Sequence, residues 1–473
     1  MRFLRSLLLC SGLIAAASSR VLKSRQSTTV STWVTAEEPL ARAALFRNIG
    51  SKGEFAKNVD AGAVIASPST SSPDYFYQWT RDSSMVFKVL LNSYINGNSS
   101  LNTLLREFAT ESDKLQRTSN PSGGYQGAGI GEPKFLVNGT PFTGSWGRPQ
   151  NDGPAIRATV LIKFANMLLD AGETSYVTSL LYDSLYPSNS VIKNDLEYVA
   201  NYWQANGFDL WEEVAGQHFF NYMVQQRALV EGAELATRLG DTGAATWYTT
   251  QATAIKAALP NFWSSSKGYL LSTLNTGRDG LDCGTLLGAL HGNGARGFGI
   301  YPASSDEVLV TLQKLVDVMN PLYPINAQSG APGIAIGRYS SDVYDGVGTS
   351  TAHPWFICTF TVAEVLYTAI NQFAARGSII VSSRSLSFYQ KFYSSATATT
   401  YAAGSTAYAN IVTGMKNYAD TFIATGQAHA ATNGSLSEQF GRSDGLQKGA
   451  RDLTWSYASF LTTKWARDGA TAY

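Results

Sequence analysis

The sequence is short of cysteine, of histidine and of net charge. Only three of its 473 residues are cysteines, Cys10, Cys283 and Cys358, too few for a disulfide-dense scaffold. Cys283 and Cys358 both sit in apolar surroundings, and two buried thiols or one disulfide fit equally. The 36 Lys and Arg nearly cancel the 35 Asp and Glu, leaving +1. No field of one sign is available to gather nucleic acid or an anionic membrane, so neither is expected as a partner. The four histidines, His218, His291, His353 and His429, have no HExxH or other ligand spacing, and no metal is expected. Gly292, Gly294 and Gly297 match GxGxxG, but a helix-like run precedes them where a dinucleotide site needs a strand. "GTSTA" (348–352) lacks the second glycine of a nucleophile elbow. No cofactor is expected.

A long hydrophobic run is found only at the N-terminus. In "MRFLRSLLLCSGLIAAASS", Arg2 and Arg5 precede an apolar stretch, Leu7 to Ala17, and then small residues. This is the layout of a secretory signal peptide, too short to span a bilayer. The basic "RVLKSR" follows as a short pro-segment ending near Arg25. Residues 1–25 are therefore expected to be trimmed and 26–473 to form one secreted, extracellular domain. No later stretch is expected to reach the length of a membrane-spanning helix. Asn98, Asn138 and Asn433 open N-x-S/T tripeptides and are candidate glycosylation sites.

Aromatic residues and helical periodicity are abundant. The chain carries 10 Trp, 24 Tyr and 22 Phe. Apolar residues recur at three- and four-residue spacing over 36–49, 81–95, 100–116, 152–172, 190–204, 219–240 and 244–259. Further helices are expected over 283–291, 305–320, 354–375, 384–396, 405–425 and 449–468, with "GIAIGRY" (333–339) as a strand-like piece. Several, such as 354–370, are apolar on more than one face and must be buried on both sides. About a dozen helices, half of them doubly buried and without a visible repeat, predict an all-α fold of two concentric rings, an (α/α)6 barrel. Long connections at 61–80, 117–151, 322–353 and 427–447 are of a length that is usually functional.

Those connections, with the short stretch 207–220, hold aromatic residues beside charges. "DYFYQWTRDS" offers Tyr75, Trp79, Arg81 and Asp82. "TGSWGRPQNDGP" offers Trp146, and "GFDLWEEVAGQHFF" offers Asp209, Trp211, Glu212 and Glu213. "GRYSSD" offers Arg338, Tyr339 and Asp342, followed by Trp355; "NGSLSEQFGRSDG" offers Glu438. Aromatic faces cover the apolar face of a sugar ring, and charged groups hold its hydroxyls. Cleaving a glycosidic bond takes two carboxyls, one protonated and one ionised. Each motif alone has a plainer reading: "WEE" as the first turn of a helix, Ser435 to Glu438 as a capping box. Together they point to a carbohydrate-active protein.

At these residues the chain resembles the fungal glucoamylases. The stretches that carry the resemblance are "ASPSTSSPDYFYQWTRDS", "GIGEPKF", "TGSWGRPQNDGPAIRAT", "DLWEEV", "IGRYSSDVY", "PWFICT" and "NGSLSEQFGRSDG". The resemblance implies an (α/α)6 barrel and an inverting exo-hydrolase that releases β-glucose from starch, dextrins and maltooligosaccharides. It favours α-1,4 over α-1,6 bonds. It makes Glu212 the general acid and Glu438 the base that activates water. Asp209, often grouped with them, is read as a supporting carboxylate. Tyr75, Trp79, Arg81, Asp82 and Arg338 match the pocket for the terminal glucose. Trp146 matches the tryptophan that covers the substrate, and Trp211 and Glu213 match pocket residues, with Glu213 nearer the second sugar. Tyr339, Asp342 and Trp355 are further substrate-site candidates. Apolar neighbours of Glu212 are expected to raise its pKa. A monomer is expected. The linker and starch-binding module that many members carry are not seen, so weak adsorption to raw starch is expected. The alternatives are an α-glucan hydrolase of different linkage preference and a catalytically weak carbohydrate-binding homologue.

Overall fold

The computed structural model describes residues 29–470 apart from Ala295 and Gly299. The expected leader and pro-segment, 1–25, with Cys10, lies outside the described residues. Among the described residues, twelve helices of eleven residues or more alternate between two rings. The outer six are α1 (Val30–Arg47), α3 (Asn102–Arg117), α5 (Val191–Tyr202), α7 (Thr242–Ala258), α9 (Asp306–Leu322) and α11 (Thr406–His429). The inner six are α2 (Thr80–Ile95), α4 (Gly153–Asp170), α6 (Phe219–Arg238), α8 (Cys283–Asn293), α10 (Phe356–Arg376) and α12 (Thr454–Arg467). Each inner helix packs on the next, and α12 packs back on α2, which closes the (α/α)6 barrel.

Composition decides which ring a helix joins. In α10, sixteen residues from Phe356 to Phe373 are buried, whereas α7 buries only Tyr248, Ala252 and Ile255. An inner helix meets neighbours on both sides and its own outer partner behind, so it must be apolar nearly all round. The rings approach closely where a small residue allows it. A side chain at Gly426 of α11 would lie 2.3 Å from the Phe360 ring of α10. Phe360 itself is fully buried, which is worth about 3 kcal/mol of hydrophobic stabilisation. Helix ends follow local chemistry. Ser305 and Ser405 accept from the backbone N–H of Val308 and Tyr408 at the starts of α9 and α11. Gly377, at φ +72°, ends α10. Cys283 and Cys358 form a disulfide between the first turns of α8 and α10, which resolves the two alternatives left open by sequence.

Three expectations are corrected. Residues 333–339 make no strand beyond one bridge, Asp282 to Tyr339. Their backbone is used by helix starts instead: Cys283 N–H donates to Arg338 O, Trp355 N–H to Ile336 O, and Thr359 Oγ1 accepts from Ile336 N–H. The segment 384–396 forms only a short helix, Leu386–Gln390, after which three-residue spans at Lys391, Phe392 and Ala396 break the helical ladder. Phe356–Arg376 is long and apolar enough to cross a membrane, but 89% of its apolar window is buried; it is the inner helix α10. Asn98, Asn138 and Asn433 are all exposed.

Connections from outer to inner helices (48–79, 118–152, 203–218, 259–282, 323–355 and 430–453) gather at one end, where the inner helices begin.

Candidate active site

That end holds a cavity of about 290 Å³, at the lower edge of the roughly 300–1,000 Å³ typical of small-ligand pockets. Every inner-helix entrance except that of α8 supplies two or more lining residues. Tyr75, Trp79, Arg81 and Asp82 come from the start of α2. Trp211, Glu212 and Glu213 come from before α6, Arg338, Tyr344 and Trp355 from before α10, and Glu438 and Trp455 from around the start of α12. Trp146 comes from the connection that leads to α4.

The pair Glu212 and Glu213 sits on a hairpin tip, not in the first turn of a helix. Gly207 and Phe208 pair with Gly216 and Ala215. Asp209 organises the turn between them: its Oδ1 accepts from the N–H of Glu213 at 2.8 Å and of Val214 at 3.0 Å. Glu212 adopts φ +67°, a left-handed conformation that costs a non-glycine residue about 1–2 kcal/mol. Its side chain is thereby aimed by the backbone. Oε1 accepts from Arg81 Nη2 at 3.3 Å and from Gln150 Nε2 at 3.0 Å. Arg81 is held in turn by Gln150 Oε1 at 2.8 Å and Asp152 Oδ2 at 3.2 Å. Burial pushes the Asp82 carboxyl up to about 6 against the pull of Arg81.

Glu213 faces a different environment. Burial works against its charge, yet Arg338, the Tyr339 hydroxyl and Arg278 hold its carboxyl below the usual carboxylate range. Arg338 Nη2 donates to its Oε1 at 2.7 Å, and the Tyr339 hydroxyl, at 2.5 Å, and Arg278 share its Oε2. Asp342 grips Arg338 through both oxygens, at 2.6 and 2.8 Å.

Glu438 enters from the connection before α12. It is 1% exposed, and a side chain at Gly449 (φ +67°) would lie 2.2 Å from its Oε2, so only glycine lets the backbone pass there. Burial pushes Glu438 up to about 8, while the Tyr75 hydroxyl and the Arg338 charge favour its ionised form. The expected distribution of burial is thus corrected. Glu212, 17% exposed at its side chain, has a guanidinium and an amide at its oxygen rather than a purely apolar setting, and the deeply buried carboxyl is Glu438.

Two aromatic walls flank these carboxyls. On one, Trp79 lies 5.6 Å from Tyr75 and 5.9 Å from Trp146. Behind it Lys134 Nζ sits among four rings: Trp146 at 3.5 Å, Tyr77 at 4.1 Å, Phe142 at 4.2 Å and Trp79 at 4.6 Å. Burial lowers the Lys134 ammonium to about 8. On the other wall Trp211 lies 5.5 Å from Trp355, with the Arg338 guanidinium over both. Trp211 Nε1 donates to Asp282 at 3.0 Å, which anchors it to the cap of α8. Among the described residues, Trp79 Nε1, Trp146 Nε1 and Trp355 Nε1 are buried without a hydrogen-bond partner, and Arg81 Nε and Asp82 Oδ2 have only the ion pair between them, at 3.4 Å. Three unmet indole donors and a charged pair around one cavity fit a ligand dense in hydroxyls.

Of the residues singled out by sequence, Tyr75, Trp79, Arg81, Asp82, Trp146, Trp211, Glu212, Glu213, Arg338, Trp355 and Glu438 come together around this cavity. Asp209, Tyr339 and Asp342 lie behind it and hold its members. Sequence reading missed Arg278, Gln150, Asp282, Tyr344 and Lys134. Gln150 and Lys134 lay inside quoted motifs beside tryptophan or glutamate. Arg278 lies in "LNTGRDG", where no aromatic neighbour marks it.

The family model described as glycosyl hydrolases family 15 matches residues 39–465. Glucoamylase-1 of Schizophyllum commune is 42% identical over 449 residues, covering 94% of this chain and 75% of that protein. The structure of a family 15 glucoamylase from Hypocrea jecorina has a TM-score of 0.87 at 41% identity, covering 94% of this chain and 73% of that one. The glucoamylase of Saccharomycopsis fibuligera gives 0.86 at 33% identity, covering 93% and 96%.

Proposed function

Since this chain belongs to glycosyl hydrolases family 15, we propose that it is a glucan 1,4-α-glucosidase, a starch-degrading hydrolase that inverts the anomeric centre and releases β-glucose from chain ends. Residues 26–473 act as one secreted catalytic domain on starch, dextrins and maltooligosaccharides. The observation that carries this reading is the meeting of Glu212 and Glu438, 226 positions apart in sequence, on one aromatic cavity lined by unmet indole donors.

The terminal glucose lies between the two aromatic walls, its hydroxyls taken by Arg81, Asp82 and Arg338. Glu212 protonates the departing glycosidic oxygen. Glu438, as carboxylate, takes a proton from a water that attacks the anomeric carbon from the opposite face. Glu213, kept ionised by Arg338, Tyr339 and Arg278, accepts from hydroxyls of the second sugar. The cavity's small size suits a chain end rather than a polymer passing through.

An exchange of the two roles has one observation in its favour: burial pushes the Glu438 carboxyl up. Another supports the order given: the Tyr75 hydroxyl and the Arg338 charge favour the carboxylate at Glu438. Digestion of maltoheptaose followed by proton NMR tests the function. Glucose is the first product and its β anomer precedes the α. Early maltose or an α-first product would overturn the reading.

A further inference from the structure

A second hollow, of about 380 Å³, shares no lining residue with the catalytic cavity. It starts where inner helices hand over to outer ones, at the end of the barrel opposite the active site, and runs along the outer helix α5 as far as Asn201. Tyr186, in the connection from α4 to α5, and Trp247, on α7, both line it. They are 79% and 40% exposed, unusual for large aromatic residues without a partner. Among the described residues only four aromatics appear in the exposed class. Three of them, Tyr186, Tyr202 and Trp247, belong to α5, α7 and the loop leading into α5.

The loop that presents Tyr186 is fixed. Asp183 accepts from the N–H of Leu185 and of Asn189, each at 2.9 Å, and its own N–H donates to Ser190 Oγ at 2.8 Å. The exposed ring therefore stands on an ordered turn. Polar groups of Lys193, Glu197, Asn201 and Asp241 share the hollow. Lys193 is paired with Asp241, so no uncompensated cation is offered to a phosphate or other anion. Glu197 Oε1 accepts from the Tyr248 hydroxyl at 2.8 Å, and Asn201 Nδ2 donates to Glu197 O at 2.7 Å. Exposed aromatic faces beside hydrogen-bonding carboxylate and amide groups, with no free cation, suit an uncharged polyhydroxyl chain.

We propose that this hollow is a non-catalytic α-glucan-binding site, which holds the polymer against the outside of the barrel through Tyr186 and Trp247. The chemical class of the ligand rests on the hydrolase reading above; the site itself does not require turnover.

The probe is β-cyclodextrin, an α-1,4-linked glucose ring without a chain end, which an exo-acting pocket cannot thread. Titration calorimetry compares the full-length protein with the Y186A/W247A variant, and maltose hydrolysis is measured on both. Wild type binds the ring, and the variant binds at least about 10-fold more weakly, about 1.4 kcal/mol, while hydrolysing maltose at the wild-type rate. Adsorption to granular starch falls in parallel. No cyclodextrin binding by wild type, or equal binding by the variant, would overturn the site. Loss of maltose hydrolysis in wild type would instead overturn the hydrolase reading and leave the cyclodextrin comparison standing.

Discussion

Replacing Glu438 by glutamine is expected to remove most turnover and to stabilise the protein at alkaline pH at the same time. Burial moves this carboxyl from 4.5 up to about 8. A folded-state value above the unfolded one means that the folded protein holds the proton more tightly. The stability this brings is full below about pH 4.5 and is lost as pH rises toward 8. At about 1.4 kcal/mol per pH interval, an ionised Glu438 costs at most about 5 kcal/mol at pH 8. Water entering the cavity screens that charge, and about 2 kcal/mol is the expected remainder. For a chain of this length 2 kcal/mol corresponds to about 2 °C in Tm. Scanning calorimetry at matched scan rates should therefore find E438Q melting about 2 °C above wild type at pH 8 and level with it at pH 4. Maltose hydrolysis should fall by about 10²–10⁴-fold. A variant less stable at pH 8, or shifted equally at both pH values, would refute the buried-charge reasoning.

Other perturbations test the supports of the site. K134M keeps the apolar stem but removes the cation from among Tyr77, Trp79, Phe142 and Trp146; kcat/KM for maltose should fall about 5- to 30-fold, the equivalent of about 1–2 kcal/mol of cation–π attraction, with little change in Tm. R278L leaves Asp209 and Glu213 each short of one ion pair. Steady-state kinetics should record a rise in KM for maltose of about 10-fold, and calorimetry a lower Tm, because Asp209 is buried. In C283A/C358A a cross-link closing 75 residues is lost, worth about 4 kcal/mol by chain entropy. Tm should drop by about 4 °C, and reductant should then leave the variant's melt unchanged.

The barrel was legible because burial on two sides leaves a mark along a helix. The run 354–370 is apolar on more than one face, and it became α10 of the inner ring. The cavity was legible where a tryptophan stood beside a charge, as at Trp79 with Arg81 or Trp211 with Glu212. What stayed hidden depends on partners distant in sequence. Arg278 reaches Asp209 and Glu213 across 69 and 65 positions, and nothing near it betrays the link. The hairpin under Glu212 rests on two-residue strands and on Asp209 as a turn anchor, too short for any periodicity to register. Which glutamate is buried more deeply was likewise unreadable. Phe208 and Trp211 suggest an apolar site for Glu212, yet Arg81 from the first turn of α2 and Gln150 from the connection before α4 arrive to fill it.

The most direct test of the paired-carboxylate mechanism compares E212Q and E438Q on maltose and on α-glucosyl fluoride. Fluoride departs without help from a protonated acid, whereas maltose needs one. If Glu212 is the acid and Glu438 the base, E212Q loses maltose hydrolysis but keeps substantial fluoride hydrolysis, and E438Q loses both. The reverse pattern, with E438Q sparing the fluoride, or two variants equally active on maltose, would contradict the account.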